Sequence, residues 1–381
     1  MKKKILSALL VGAMVSSLLA GCGGSDSAST SDNSTSAGSS DAQTTEQGSS
    51  DATAEASGIE GKTVAFIPKL TGNAFFEVAN DGAQEYAEKW GITVDYMGSS
   101  NAAVADQVSV INQAISSGVD AICISTVDAA GVSDALQEAK DAGIPVIIVD
   151  RMVDVSDDSL YTTWIGTDAL CEGRKAAEWL NGFAEAKGIA ASDIHIADIQ
   201  GTIGSTAQIG RTKGLEEGVD KYGWDLVAQQ TGEFTQAKGQ EVMESMLKQY
   251  DNINVVYCEN DNEAFGAIDA IEAAGKTVGS DIANGEIMVI SFDTTHAGLQ
   301  DVLDGKIECD VECNPLHGPR AEELIKKLEA GEDVDKQNYV DEEIFAHDDT
   351  VKSVKATNSL DEEKDFDVTP LTQDILDKRA Y

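Results

Sequence analysis

Basic side chains are scarce in this chain: 27 Lys and Arg stand against 67 Asp and Glu, for a formal net charge of −40. That balance opposes contact with nucleic acid or with anionic lipid by general electrostatics, and it disfavours a phosphorylated ligand. Cysteine is sparse as well. Besides Cys22 there are Cys123, Cys171, Cys258, Cys309 and Cys313. An odd number without CxxC spacing argues against a disulfide framework or a zinc site. Cys123 and Cys258 lie inside apolar runs and read as small core residues. The four histidines, His195, His296, His317 and His347, are scattered and form no HExxH and no Ser/His/Asp arrangement. There is no GxGxxG, P-loop or D-x-[DN]-x-[DN]-G calcium loop, and the Gly201–Gly204 turn reads as turn geometry. These absences leave no metal, no cofactor and no covalent chemistry in view, so the chain reads as a binder and not as an enzyme.

What is present begins at the N-terminus. Lys2, Lys3 and Lys4 precede an apolar run, Ile5 to Leu19, which is shorter than the roughly 20 residues of a membrane span. The run ends in Leu19-Ala20-Gly21-Cys22, which resembles the bacterial lipobox. Residues 1–21 are therefore expected to be a lipoprotein signal peptide and Cys22 the lipidation site. Residues 22–58 are almost entirely Ser, Thr, Asp, Ala, Gly, Gln and Glu, a composition that cannot bury enough apolar surface to order itself. They read as a disordered tether that holds a soluble body to the membrane through the lipid alone.

From residue 62 the pattern alternates between strand and helix. Strands are expected at Val64–Ile67, Ile92–Tyr96, Ala121–Ser125 and Pro145–Asp150, with helices near 74–90, 103–117 and 132–142 that stop at Gly91, Gly118 and Gly143. After Tyr161–Gly166 a second series follows. Its strands fall near 195–200, 225–230, 254–259 and 287–292, with helices near 168–182, 205–222, 236–249, 263–274 and 297–304. A strand (308–313), a helix (316–330), a strand (339–345) and a polar tail (362–381), expected to pack loosely, complete the chain. Strands apolar on both faces that alternate with helices indicate parallel sheets covered on both sides. Trp90, Trp179 and Trp224 read as core, and Trp164 as packing at the first crossover.

Ligands of open α/β sheets bind beyond the carboxyl ends of the strands. The residues just past those ends form a coherent set: Asn73, Phe75 and Phe76 after the first strand, and Asp150 and Arg151 after the fourth. In the second series come Arg211, on the helix behind Gln200, then Phe234, Asn260 with Asp261, and Asp293. Carboxylates and amides exchange hydrogen bonds with hydroxyls, Arg donates in a fixed fork, and aromatic rings cover C–H faces. That is the composition of a sugar site.

Seven stretches carry a family resemblance: GNAFF (72–76), IPVIIVDR (144–151), IGTDALCEGRKAAEWL (165–180), QGTIGSTAQIGRTKG (200–214), GEFTQAKGQEVMESML (232–247), ENDNEAFGAIDAIEAAG (259–275) and SFDTT (291–295). In this order and spacing they resemble the periplasmic sugar-binding proteins of ABC importers, of the ribose, galactose and galactofuranose type. The resemblance implies two doubly wound parallel-sheet α/β lobes, with a hinge and an interlobe cleft. It places one lobe at 61–166 plus 314–341 and the other at 167–313 plus 342–381, hinged near 165–168, 313–315 and 341–342. It implies that Phe75 and Phe76 stack on one face of the sugar and Phe234 on the other. Asn73, Asp150, Arg151, Arg211, Asn260 and Asp293 would hydrogen-bond its hydroxyls. Where ribose binders carry a glutamine this chain has Cys313, which moves that contact to Asn314 or His317 or removes it. The implied function is capture of a monosaccharide, galactofuranose or galactose or a ribose-like pentose, by a monomeric, extracytoplasmic lipoprotein that delivers it to an ABC permease. The alternative is a sugar or furanose-signal receptor that feeds a chemotaxis or kinase sensor.

Overall fold

The computed structural model describes residues 59–379 except Asn73, Ala102 and Asp341. The expected signal peptide (1–21), the tether (22–58), Cys22 and Asn73 thus lie outside the described residues. The first series runs β1 (Thr63–Ile67), α1 (Ala74–Trp90), β2 (Thr93–Tyr96), α2 (Val104–Ser117), β3 (Ala121–Ile124), α3 (Ser133–Asp141), β4 (Val146–Val149) and β5 (Thr163–Gly166). The second runs α4 (Ala169–Lys187), β6 (His195–Gln200), α5 (Thr206–Tyr222), β7 (Asp225–Thr231), α6 (Gln236–Gln249), β8 (Val255–Cys258), α7 (Asp261–Ala273), β9 (Met288–Asp293), α8 (His296–Leu303) and β10 (Cys309–Glu312). Then come α9 (His317–Glu329), β11 (Gln337–Tyr339), β12 (Ile344–Ala346), β13 (Ser353–Thr357), β14 (Glu363–Asp367), β15 (Thr369–Pro370) and α10 (Gln373–Leu376).

Two sheets organise these elements. One has the order β11-β5-β4-β3-β1-β2 and the other β15-β12-β10-β9-β8-β6-β7. All pairings in the first are parallel, and in the second only β10–β12 is antiparallel. The two-residue period of a strand sends alternate side chains to opposite faces. In the first sheet Ala65, Ile67, Ile122, Ile124, Val146 and Ile148 pack into one core. Their neighbours Val64, Phe66, Ala121, Cys123, Ile147 and Val149 pack into another. Burial on both faces is why these strands read as continuous apolar runs. In each sheet the strand order reverses, at β1 in the first and at β6 in the second, which opens a crevice at the carboxyl ends there.

Two expectations are corrected. The strand expected over 339–345 is two strands, because the chain crosses between the sheets inside it: β11 pairs with β5, and β12 with β10. The tail is also better packed than its polarity suggested. Within it β14 pairs with β13, which lies on α4, and Val368, Leu371 and Leu376 are buried. Arg379 then bonds Glu312 at 2.7 Å and Glu343 at 3.0 Å. Single apolar residues spaced among acids gave no run to read. Among the described residues the five cysteines are free and buried, and no helix is long and apolar enough to cross a membrane.

Candidate ligand-binding site

The carboxyl end of β4 turns sharply. Asp150, the next residue, has φ 64°, a region that Asp tolerates better than most residues but that still carries strain. Its amide donates to the Ile165 carbonyl (2.9 Å) and its own carbonyl accepts from the Trp164 indole (3.0 Å). A Cβ on Gly166 would stand 2.8 Å from that carbonyl and 2.4 Å from the Trp164 ring, so only glycine fits beside this turn. The turn presents the carboxylate, which accepts from the Ser125 hydroxyl at 3.2 Å and has Arg151 Nε at 4.0 Å. Burial raises the Asp150 pKa against the opposing pull of Arg151, Ser125, Arg211 and Lys69. Burial, with the Arg151 charge, lowers that of Lys69 to about 8.

The second sheet presents a denser arrangement. Arg211 rises from α5 and is almost wholly enclosed, its side chain 2 % exposed. Its Nε donates to Glu172 at 2.7 Å, one terminal nitrogen donates to the Glu259 carbonyl, and the other reaches Asp293 at 3.3 Å. The guanidinium carbon stands 4.8 Å from the Phe292 ring centroid. Burial opposes the Arg211 charge, but Glu172 and Asp293 outweigh it and hold the cation. Asp293 ends β9 at φ 104°. Burial pushes its pKa up to about 8, Arg211 opposes, and the charges of Asp261 and Glu172 add to the rise. Glu259 is raised to about 7 by burial, against bonds from the Thr212 hydroxyl and the Gly201 amide.

Phe234, at φ 59°, completes this face. Its amide donates to Glu263 at 2.9 Å, and its ring lies against Gly201, where a Cβ would approach to 1.9 Å. The glycine turn is therefore the seat of an aromatic ring. Asn260 caps α7, its Oδ1 accepting from the Glu263 amide at 2.9 Å. Asp261 is bound inward by Ser291 and Thr295 at 2.6–2.8 Å.

The structure thus brings Asp150 and Arg151 to the end of one sheet, and Arg211, Phe234, Asn260 and Asp293 to the end of the other. The Arg211 charge acts on Asp150. Phe75, partly exposed, meets Phe76 edge-on at 5.3 Å and His317 at 5.9 Å, while Phe76 is buried. His317 is fully buried, and its pKa falls to about 3 through burial and the Arg320 charge. Asn314 is consumed within the protein, donating to Glu312 at 3.1 Å and accepting from Leu316 and Arg320 at 2.9 Å. Sequence reading missed Lys69, Ser125, Glu172 and Glu259. Lys69 lay within reach of the strand-end rule, two residues past β1. Glu172 and Glu259 gave no signal, since nothing in the linear order ties them to Arg211.

Carboxylates, two guanidiniums, an ammonium, an amide and aromatic rings thus gather at the carboxyl ends of the two sheets, a composition that suits a small polyhydroxylated ligand. Residues 64–317 match the family described as "Periplasmic binding protein domain". The galactofuranose-binding protein of Escherichia coli (strain K12) is 36 % identical over 254 residues, 65 % of this chain and 76 % of that protein. A Mycobacterium smegmatis protein crystallised with β-D-fucofuranose aligns at TM-score 0.69 and 37 % identity, covering 76 % of this chain and 93 % of that one. The binding component of the arabinose ABC transporter from Shewanella sp. ANA-3, bound to α- and β-L-arabinofuranose, aligns at TM-score 0.69 and 33 % identity over 76 % of this chain and 93 % of that one. With two mostly parallel α/β sheets and polar groups at their carboxyl ends, this chain belongs to the periplasmic binding protein family, with its type I fold, and is a binding protein rather than an enzyme.

Proposed function

We propose that the chain captures a monosaccharide in its furanose form between the ends of the two sheets and delivers it to an ABC permease. What supports this reading is that two unlike polar sets stand at the carboxyl ends of the two sheets, Asp150, Arg151 and Lys69 at one and Arg211 and Asp293 at the other, with Asp150 within range of the Arg211 charge. The furanose class rests on the sugars named for the fucofuranose- and arabinofuranose-bound proteins and the galactofuranose-binding relative.

In this reading Asp150, Arg151, Asp293 and Asn260 exchange hydrogen bonds with the hydroxyls, and Asn73 joins them. Phe75 and Phe76 cover one ring face and Phe234 the other. Arg211, being so enclosed, contributes its edge and holds Asp293 in place. A sugar lacking one hydroxyl leaves a buried partner unpaired at a cost of about 1–3 kcal/mol, which is the source of selectivity. The lobes 61–166 plus 314–341 and 167–313 plus 342–381 close on the sugar about the three crossovers. The protein acts as an extracytoplasmic monomer, held to the membrane by lipid on Cys22.

Calorimetric titration with methyl furanosides and methyl pyranosides of arabinose, galactose, fucose and ribose tests this, because the methyl group locks the ring size. One furanoside binding at one site per chain, with its pyranoside partner inert, is the expected result. Binding of pyranosides alone would remove the furanose assignment. Silence from a folded protein across the set and across the four free sugars would remove the monosaccharide.

A further inference from the structure

The three passages of the chain between the sheets meet at a small group of buried side chains. Glu172 stands in the first turn of α4, Cys313 directly after β10, and Glu342 two residues before β12. One carboxylate oxygen from each glutamate and the Cys313 sulfur lie within 4.8 Å of one another, and all three residues are buried. The environment of Glu172 points to a missing partner. Its Oε2 holds Arg211 at 2.7 Å, but its Oε1 receives no hydrogen bond from a nitrogen or hydroxyl of any described residue, although Glu172 is fully buried; the carboxyl group that hydrogen-bonds with it is that of Glu342, an acid itself. A buried carboxylate oxygen without a donor is costly unless something cationic meets it.

The nearby cations are already engaged. Arg211 is shared with Asp293 and the Glu259 carbonyl. Lys175 donates to the Glu342 carbonyl at 3.0 Å and sits 4.2 Å from the Phe366 ring centroid. Glu342 accepts from the Asn314 amide at 3.0 Å, and the Thr167 hydroxyl lies 3.9 Å from the Cys313 sulfur.

We propose that Glu172, Cys313 and Glu342 form a binding site for one divalent cation of the zinc type, with the Thr167 hydroxyl or a water as fourth ligand. One soft sulfur beside two hard oxygens suits zinc and not magnesium or calcium, which take oxygen alone. Donor atoms around a tetrahedral zinc stand roughly 3.5 Å apart, so an inward shift of about 1 Å per side chain closes the shell. Binding releases any protons held by the thiol and the glutamates, since both bind metal in the deprotonated form. The ion would tie together all three crossovers, beneath Arg211. The site has no sequence motif because its ligands lie 141 (313 − 172) and 29 (342 − 313) residues apart, so the expectation of no metal, drawn from spacing, did not bear on it. The proposal is independent of the sugar assignment.

The test uses the full chain, stripped with a chelator and titrated with zinc alone by calorimetry and with cobalt(II) alone by absorption. One equivalent of each should bind, and cobalt should give a near-ultraviolet thiolate charge-transfer band. That band should vanish in Cys313→Ala, weaken in Glu342→Gln and persist in Cys123→Ala, with circular dichroism confirming that each variant is folded. Three results overturn the site: no cobalt uptake by the folded chain, uptake without a thiolate band, or a band that survives Cys313→Ala. In the first case Glu172 and Glu342 share a proton in place of a metal.

Discussion

The two sheet ends that face the crevice solve the same problem differently. On the β4 side the charged groups are lightly held: Asp150 has one hydroxyl donor at 3.2 Å and Arg151 at 4.0 Å, and both remain partly exposed. On the β9 side Arg211 is locked among Glu172, the Glu259 carbonyl and Asp293, with Phe292 beneath it. One face is a preformed template and the other can still adjust. A binding protein that must both recognise and release its cargo gains from this division, because fixed groups keep the cost of ordering low and loose ones follow the motion.

The contrast predicts unequal consequences. Arg211→Ala should be the most damaging change, since it strands Glu172 and Asp293 as buried acids. Chemical denaturation should show a loss of about 3–5 kcal/mol. Arg151→Ala, on the looser face, should cost under about 1 kcal/mol. Equal losses would break the comparison. Asp293→Ala, which removes one partner of Arg211, should cost about 1–3 kcal/mol in the same assay, while Asp150→Ala stays within about 1 kcal/mol because little of the fold depends on it. Gly201→Ala should push the Phe234 ring from its seat and weaken sugar binding by about 1 kcal/mol, roughly fivefold by calorimetry.

A further expected effect is one of pH, and it has opposite signs on the two faces. Asp293 is raised to about 8 in the fold, so the stability it contributes is present below its unfolded pKa and is lost as pH rises through about 8. Lys69 is lowered to about 8, so its contribution changes the other way, recovering as pH rises past about 8 toward its unfolded value. In melting experiments from pH 6 to 10, Asp293→Asn should make the alkaline decline shallower, and Lys69→Met should make it steeper. The same change of slope in both variants would show that the faces are not electrically distinct.

Most of the architecture was legible because burial on both faces leaves a plain mark. Val146 to Val149 could be nothing but a covered strand, and the glycines at 91, 118 and 143 end their helices at φ 70–73°. The strand-end rule singled out Asp150, Phe234 and Asp293, and each lies at or just past the end of its strand. All three adopt positive φ, which composition does not reveal. Glu172 and Glu259 stayed hidden because their role is defined by Arg211, 39 and 48 residues away. The tail was misjudged because Val368, Leu371 and the Ile375-Leu376 pair are too short and too widely spaced among polar residues to form a readable run, and only the packed structure shows Val368 entering one core and Leu371 and Leu376 another.

The central claim is that both faces grip one sugar. Calorimetric titration of the full chain with methyl arabinofuranoside, beside Asp150→Ala and Asp293→Ala, tests it most directly. The account predicts one site per chain, with affinity reduced in both variants by about 1–3 kcal/mol, the cost of leaving a buried hydroxyl unpaired. If the furanoside binds and either variant keeps full affinity, the ligand rests on one sheet alone and the two-sided crevice is not the binding site.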